Sequence, residues 1–186
     1  MNNWWNDIKN WWFVSVDEKP MEKVKEKYRF ATTSELVKIY GQPKENPDYL
    51  ELITLPYPMV LSWDKKVKVT KIRCHKAVAS DFKNIFQEIL DHYGIDKIKS
   101  YGIDIFGGCF SFRKMRGGND WSRHSWGIAI DLDPDNNGLR TTFNNARFSS
   151  EKYHPMFEIF EKYGFLNLGK EKNYDTMHFE KGILIK

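Results

Sequence analysis

Apolar residues follow a helical spacing most clearly between residues 76 and 93. There they recur every three or four positions, and Gly94 follows as the expected end of the helix. A second helix is predicted over residues 155–163, because Pro155 suits the first turn of a helix. A shorter helix is predicted to begin after Thr32, a residue type that caps helices. Three helices are therefore expected in the body of the chain.

Alternating or short apolar stretches predict the strands. Residues 67–72 alternate cleanly, which is typical of a strand with one solvated face. Residues 50–63 are rich in apolar side chains but contain Pro56 and Pro58, which favours extended segments at a sheet edge. Further strands are predicted at residues 103–106, 109–112, 127–132 and 179–185. The order of elements predicts the α+β fold class, with helices flanking a small, mainly antiparallel sheet.

Two tryptophan pairs, seven positions apart, set the N-terminal segment apart from the rest. On a helix they would share one broad apolar face, formed by Trp4, Trp5, Trp11 and Trp12. That face would either dock on the body, support self-association, or meet a wall or membrane surface. A proline and a charged stretch follow. We therefore predict a Trp-rich helical appendage and linker over residues 1–30 and one further domain over residues 31–186.

Composition and charge narrow the class of protein. The 186 residues carry 29 basic and 25 acidic side chains, and a net charge of +4 does not indicate nucleic-acid binding. This excess is compatible with approach to an anionic polymer such as a bacterial wall. No long apolar run predicts a membrane span, and polar residues interrupt any signal-peptide core. We expect synthesis in a bacterial cytoplasm without a signal peptide, and two buried free thiols, Cys74 and Cys109.

Two histidines and one carboxylate, in two short segments, have the donor types of a catalytic zinc site. They are His124, Asp131 and His178, and such a site leaves a fourth position open for water. His124 and Asp131 are seven positions apart, so a turn at Gly127 has to bring them together. Asp175 precedes His178 by three positions, a spacing that one helical turn or a tight loop would place on the same side.

Other interpretations of these residues remain open from spacing alone. Both histidines would serve equally well as ordinary core or surface residues. Asp131, Asp133 and Asp135 alternate as in a calcium loop, but Pro134 and the threonine at position 142 argue against an EF-hand.

The residues around these donors resemble a known family. The pattern is Ser122-x-His124-x-x-Gly127-x-Ala129-x-Asp131, followed by Asp175-x-x-His178-Phe179-Glu180. It is similar to the signature of the VanY-like D-Ala-D-Ala carboxypeptidase and L-alanyl-D-glutamate endopeptidase metallopeptidases, which include many phage endolysins. The resemblance covers about residues 98–181. It implies a fold like that of these peptidases and the related hedgehog domain.

The resemblance also implies roles for individual residues. Zn²⁺ would be held by His124, Asp131 and His178, and Asp175 would be the catalytic acid/base. Many relatives carry glutamate at that position, whereas the endolysin-like endopeptidases often carry aspartate. Arg113 matches an arginine that contacts substrate, either by gripping a peptide carboxylate or by stabilising the oxyanion. Ser122 matches a serine near the substrate. A surface arginine and a turn hydroxyl are the plain alternatives for these last two.

The function implied is a zinc-dependent peptidoglycan hydrolase that cleaves the stem peptide between L-alanine and D-glutamate. A D-Ala-D-Ala carboxypeptidase is the alternative within the enzymes. A zinc-containing wall-binding module without turnover is the alternative outside them. The setting we expect is a phage or prophage protein that acts at the bacterial cell wall.

Overall fold

The computed structural model describes residues 27–185, and these form two sheets with helices packed on them. The predicted tryptophan-rich helix of the appendage lies outside the described residues. The strands are β1 (Tyr28–Arg29), β2 (Leu50–Leu61), β3 (Lys68–His75), β4 (Ile105–Gly108), β5 (Ala129–Leu132), β6 (Phe165–Asn167), β7 (His178–Lys181) and β8 (Ile183–Leu184). The helices are α1 (Thr33–Tyr40), α2 (Ala79–Tyr101), α3 (Pro134–Asn137), α4 (His154–Lys162) and α5 (Leu168–Lys172), joined in places by short 3-10 turns.

Six strands form the main sheet in the order β3-β2-β4-β5-β7-β6. Neighbours are antiparallel except for β2 and β4, which run parallel. Strands β1 and β8 form a separate antiparallel pair. The prediction of an α+β fold with a mainly antiparallel sheet is confirmed. No helix within residues 27–185 has both the length and the apolar character needed to cross a bilayer.

Strand β2 lies between β3 and β4, but only Val60 and Leu61 pair with β4, so the predicted edge position holds for the part of β2 before Val60. Pro56 and Pro58 are tolerated because they fall where the pairing with β3 shifts register, between Thr54 and Met59. At such an irregularity a missing ladder donor costs little. The apolar face of β2 is buried and packs against α2.

Among the helices, α2 buries the most side chains. Its apolar side chains recur at helical spacing, and Phe82, Phe86 and Ile89 are fully buried. Burying a side chain of this size contributes about 2–3 kcal/mol each. Gly94, the predicted end of this helix, has non-helical angles of φ 70° and ψ 159°, so the first helical segment of α2 stops there. A second segment, which the sequence did not predict, follows across this kink and runs to Tyr101.

The strand predicted at residues 109–112 is not present. The chain pairs earlier, in β4, which includes Gly107 and Gly108. Gly107 explains the difference, because a Cβ there would come within 2.9 Å of the Cβ of Asp131 on β5. Glycine therefore allows the two strands to approach closely. The segment predicted as one final strand, residues 179–185, is divided at Gly182 into β7 and β8.

The start of the described chain is fixed to the body. Helix α1 opens with a capping box, in which the Thr32 hydroxyl accepts a hydrogen bond from the Glu35 amide and the Glu35 carboxylate accepts one from the Thr32 amide. Strand β1 pairs with β8 just before it. The domain boundary predicted between residues 30 and 31 stays a prediction. Strand β1 lies on the N-terminal side of that boundary and pairs with β8 of the body.

Candidate metal centre

Strands β5 and β7 bring two of the predicted ligands face to face. Asp131 and His178 are directly paired in the antiparallel ladder, so their side chains leave the same face of the sheet. Asp131 Oδ1 lies 2.9 Å from His178 Nδ1. Both residues are buried. Residues far apart in sequence thus meet because of strand register alone.

The third predicted ligand, His124, comes from the 3-10 turn Arg123–Trp126 that leads into β5. Gly127 ends this turn with φ 70°, a left-handed conformation that favours glycine. A Cβ at Gly127 would also stand 3.0 Å from the backbone nitrogen of His75. The chain therefore turns at Gly127, as the spacing of His124 and Asp131 requires.

Three donor atoms form a compact triangle. His124 Nε2 lies 3.2 Å from His178 Nδ1 and 3.2 Å from Asp131 Oδ1, and the third edge is 2.9 Å. A tetrahedral ion with ligand bonds of 2.0–2.1 Å holds neighbouring donors about 3.3 Å apart. The triangle matches one face of such a site. The three residues form a group that could hold a metal ion.

The remaining ring nitrogens have acceptors, which fixes the nitrogen that each ring offers. His124 Nδ1 lies 2.7 Å from the Cys109 carbonyl oxygen, so it donates there and directs Nε2 into the triangle. His178 Nε2 lies 3.1 Å from Glu180 Oε2 and directs Nδ1 into the triangle. Ligand histidines in metalloproteins have such partners. The motif included Glu180, but sequence reasoning gave it no role; its position two residues after His178 on a strand was the available signal.

The charges of the triangle depend on one another. Burial alone would raise the pKa of Asp131, but the charge of His124 and hydrogen bonds from both histidines hold it well below its usual range. Burial alone would lower the pKa of His178, but hydrogen bonds and charge from Asp131 and Glu180 raise it to about 10. In the absence of a metal, a proton thus occupies the place that a cation would take.

Asp175 lies beside the triangle but outside the three-residue group. It adopts a left-handed conformation with φ 58°, which aspartate tolerates better than most residues. Its carbonyl oxygen accepts a hydrogen bond from the His178 amide at 3.0 Å. This bond closes the tight loop that the three-residue spacing of Asp175 and His178 predicts. The side chain is buried, and Oδ1 has no hydrogen-bond partner among the described residues. Burial raises the pKa of this carboxyl group.

A cleft of about 540 Å³ opens over the triangle. All six residues singled out from the sequence line it: Arg113, Ser122, His124, Asp131, Asp175 and His178. Ser122 is buried, and its amide donates to the Arg113 carbonyl oxygen at 3.1 Å. The guanidinium of Arg113 donates to the Lys114 carbonyl oxygen. The predicted catalytic and substrate-contacting residues therefore share one cleft with the candidate ligands.

The calcium-loop alternative has no support in the fold. The Asp133 carboxylate is buried and accepts hydrogen bonds from Asn136, Asn137 and Arg147. Asp135 pairs with Lys65 at 2.8 Å. Both carboxylates thus have other partners and do not converge with Asp131. The two cysteines are buried free thiols, as predicted.

Comparison with known proteins finds a similarity for part of the chain. Residues 116–181 match the family model described as D-alanyl-D-alanine carboxypeptidase. The matched segment contains the three donors of the triangle, Asp175 and Ser122, and it begins three residues after Arg113. Neither the curated proteins nor the solved structures include a significant match to the chain.

Proposed function

We propose that this protein is a zinc-dependent endopeptidase that cuts the peptidoglycan stem peptide between L-alanine and D-glutamate. The match of residues 116–181 to the D-alanyl-D-alanine carboxypeptidase family model supports a metallopeptidase that acts on peptidoglycan. One observation carries the proposal. Three buried donor atoms converge in an open cleft, and a buried carboxylate without a partner among the described residues, Asp175, stands beside them. This is a metal site with an adjacent proton acceptor.

His124, Asp131 and His178 would hold Zn²⁺ through Nε2, Oδ1 and Nδ1. When bound, zinc supplies a Lewis acid that polarises the scissile carbonyl and lowers the pKa of its water toward about 7. The residues fit this ion, because two neutral imidazoles and one carboxylate at tetrahedral spacing are a common catalytic donor set. The cleft above them leaves room for water and substrate.

Asp175 would move the proton. Its free Oδ1 accepts a proton from the attacking water and then delivers it to the amine that leaves. The same group has to do both, so a pKa closer to neutrality than that of an ordinary aspartate suits the task. The burial of Asp175 shifts its pKa in that direction.

Arg113 and Ser122 would contact the substrate. The guanidinium fork suits a peptide carboxylate, and its charge equally suits the oxyanion that develops at the scissile carbonyl. Ser122 offers a hydroxyl at the cleft wall. The two roles of Arg113 predict different kinetics: loss of a carboxylate contact raises KM, while loss of oxyanion stabilisation lowers kcat.

Two observations favour the endopeptidase over the carboxypeptidase. Asp175 is an aspartate, as in the endolysin-like endopeptidases that the motif resembles. A second cavity adjoins the cleft and shares Arg116, Gly117 and Leu139 with it, so the groove continues past the centre. This suits a peptide that extends beyond the cut bond. The competitor is a D-Ala-D-Ala carboxypeptidase, which is the description of the matched family.

Mass spectrometry of digested muropeptides tests the proposal. Purified peptidoglycan is incubated with the zinc-loaded protein, with the chelated protein and with the Asp175→Asn variant. Release of stem peptides that begin with D-glutamate supports the endopeptidase. Loss of a terminal D-alanine would establish the carboxypeptidase instead. Binding to walls without any cleavage would replace both with a wall-binding module.

The setting is also part of the proposal. The protein would be made in a bacterial cytoplasm, would come from a phage or prophage, and would reach the wall at lysis. Self-association through Trp4, Trp5, Trp11 and Trp12 stays a prediction, because these residues lie outside the described part of the chain.

A further inference from the structure

A buried ion pair lies next to the candidate metal centre, and both of its residues line the cleft. Glu180 Oε1 lies 3.4 Å from Arg123 Nε, and the two side chains are only 6% and 14% exposed. Burying two charges is costly unless additional contacts satisfy them. Here Glu180 also contacts a candidate metal ligand, and Arg123 also contacts residues at the start of α1.

The link to the ligands runs through His178. Glu180 follows it by two positions on β7, so both side chains leave the same face of the strand. Glu180 Oε2 lies 3.1 Å from His178 Nε2. In the neutral ring that zinc requires, a carboxylate there keeps the proton on Nε2 and leaves the lone pair of Nδ1 directed at the donor triangle. His124 has only a neutral carbonyl, that of Cys109, in the equivalent place.

The link to the N-terminal side runs through Arg123. Its guanidinium donates to the Ala31 carbonyl oxygen at 2.7 Å and to the Thr33 hydroxyl at 3.3 Å. It also donates to the Trp121 carbonyl oxygen. Arg123 is thus held by three groups before it meets Glu180, and it directly precedes His124 in the chain.

We propose that Glu180 and Arg123 are positioning residues for the metal: Glu180 sets the tautomer and orientation of His178, and Arg123 holds Glu180 in place. This inference rests on the zinc site of the proposed function. It adds that the affinity for zinc depends on a pair outside the three-donor group.

Zinc affinity, measured by competition with a chromophoric chelator, tests the role of Glu180. Glu180→Gln keeps the shape of the side chain and removes its charge, so zinc should bind about 10- to 100-fold more weakly. Glu88→Gln is the matched control, because Glu88 also pairs with a cation, Lys162, but does not line the cleft. Unchanged zinc binding in Glu180→Gln would overturn the proposal.

The role of Arg123 requires a double-mutant cycle. Arg123→Met should weaken zinc binding severalfold in the wild-type background and have no further effect in the Glu180→Gln background, since its action passes through Glu180. Equal effects in both backgrounds would show that Arg123 acts by another route, contrary to the proposal. Circular dichroism of each metal-free variant reports whether it folds.

A measurement on the unmodified protein keeps the proposal testable even if a variant does not fold. Long-range ¹H–¹⁵N spectra of the zinc-loaded protein should show the His178 proton on Nε2, exchanging slowly with water. A proton on Nδ1 would overturn the inference. None of these readouts uses substrate, so a protein that binds zinc as described but leaves peptidoglycan intact would refute the proposed activity alone.

Discussion

His124 and His178 face each other through unlike nitrogens: Nε2 of His124 lies 3.2 Å from Nδ1 of His178. The rings meet nearly edge to face, at an interplanar angle of 75°. His124 reaches the centre from a turn and His178 from a strand, so different ring atoms point inward. The two histidines therefore offer different nitrogens to the candidate metal site.

Removing a ligand and removing the proton acceptor should have different effects. We expect His178→Ala to lose both stoichiometric zinc and wall hydrolysis, because two donors hold zinc poorly. We expect Asp175→Asn to keep zinc and lose at least about 100-fold in hydrolysis rate, the usual contribution of a general acid/base. Metal analysis and a turbidity assay on bacterial walls measure the two properties. An active Asp175→Asn variant would contradict the assignment.

Asp175 should also lower the stability of the metal-free fold at neutral pH. Its pKa is raised in the folded state, so the folded protein binds a proton more tightly than the unfolded chain. Stability therefore falls as the pH rises from the unfolded pKa to the folded pKa, and it stays lower above. Asp175→Asn removes this cost, and we expect a gain of roughly 0.5–2 kcal/mol at pH 7.

Urea unfolding of both metal-free proteins at pH 7 and at pH 3 measures this effect. The gain should disappear at the lower pH, where the wild-type carboxyl group is protonated in both states. A variant that is less stable than the wild type at pH 7 would show that the Asp175 carboxylate stabilises the fold.

Zinc binding should release protons. The pKa of His178 is raised to about 10, so its ring is protonated at neutral pH in the metal-free protein. Zinc requires the neutral ring, and each ion bound displaces that proton. Zinc affinity should therefore rise by up to about tenfold per pH unit between pH 6 and 8. Calorimetry in buffers of different ionisation enthalpy counts the protons; zero release would contradict the raised pKa.

Gly127 should be far less tolerant of substitution than Gly117. Both have positive φ, 70° and 78°, so alanine is strained at either position. Only at Gly127 does the new Cβ also meet backbone, at 3.0 Å from the nitrogen of His75, whereas nothing lies within 4 Å at Gly117. We expect Gly127→Ala to cost about 1–3 kcal/mol more than Gly117→Ala in urea unfolding and to weaken zinc binding, because this turn carries His124. Equal costs would mean that the turn relaxes freely.

The sequence predicted the elements well where a local pattern decides them. The spacing of apolar residues located α2, and the capping residue Thr32 located α1. The errors arose where tertiary contacts decide. The second segment of α2, beyond Gly94, was not predicted although it buries Ile98, and Gly107 extends β4 because β5 approaches closely.

In the candidate site, too, the sequence predicted what a local motif decides and missed what the folded sheet decides. The motif was enough to single out His124, Asp131, Asp175 and His178, and the fold brings them into one cleft. It could not reveal the function of Glu180 or Arg123. Their partnership joins β7 to a turn 57 residues earlier, and only the folded sheet brings the two charges together.

The direct pairing of Asp131 with His178 has a consequence for how this chain can diverge. The distance between them in sequence is irrelevant to their meeting, so insertions between β5 and β7, on the surface segments around α3 and α5, would lengthen the chain and leave the donors opposed. A single inserted or deleted residue within β5 or β7 would instead turn one of the two side chains to the other face of the sheet. Homologues should therefore differ freely in the length of this connection and hardly at all within the two strands.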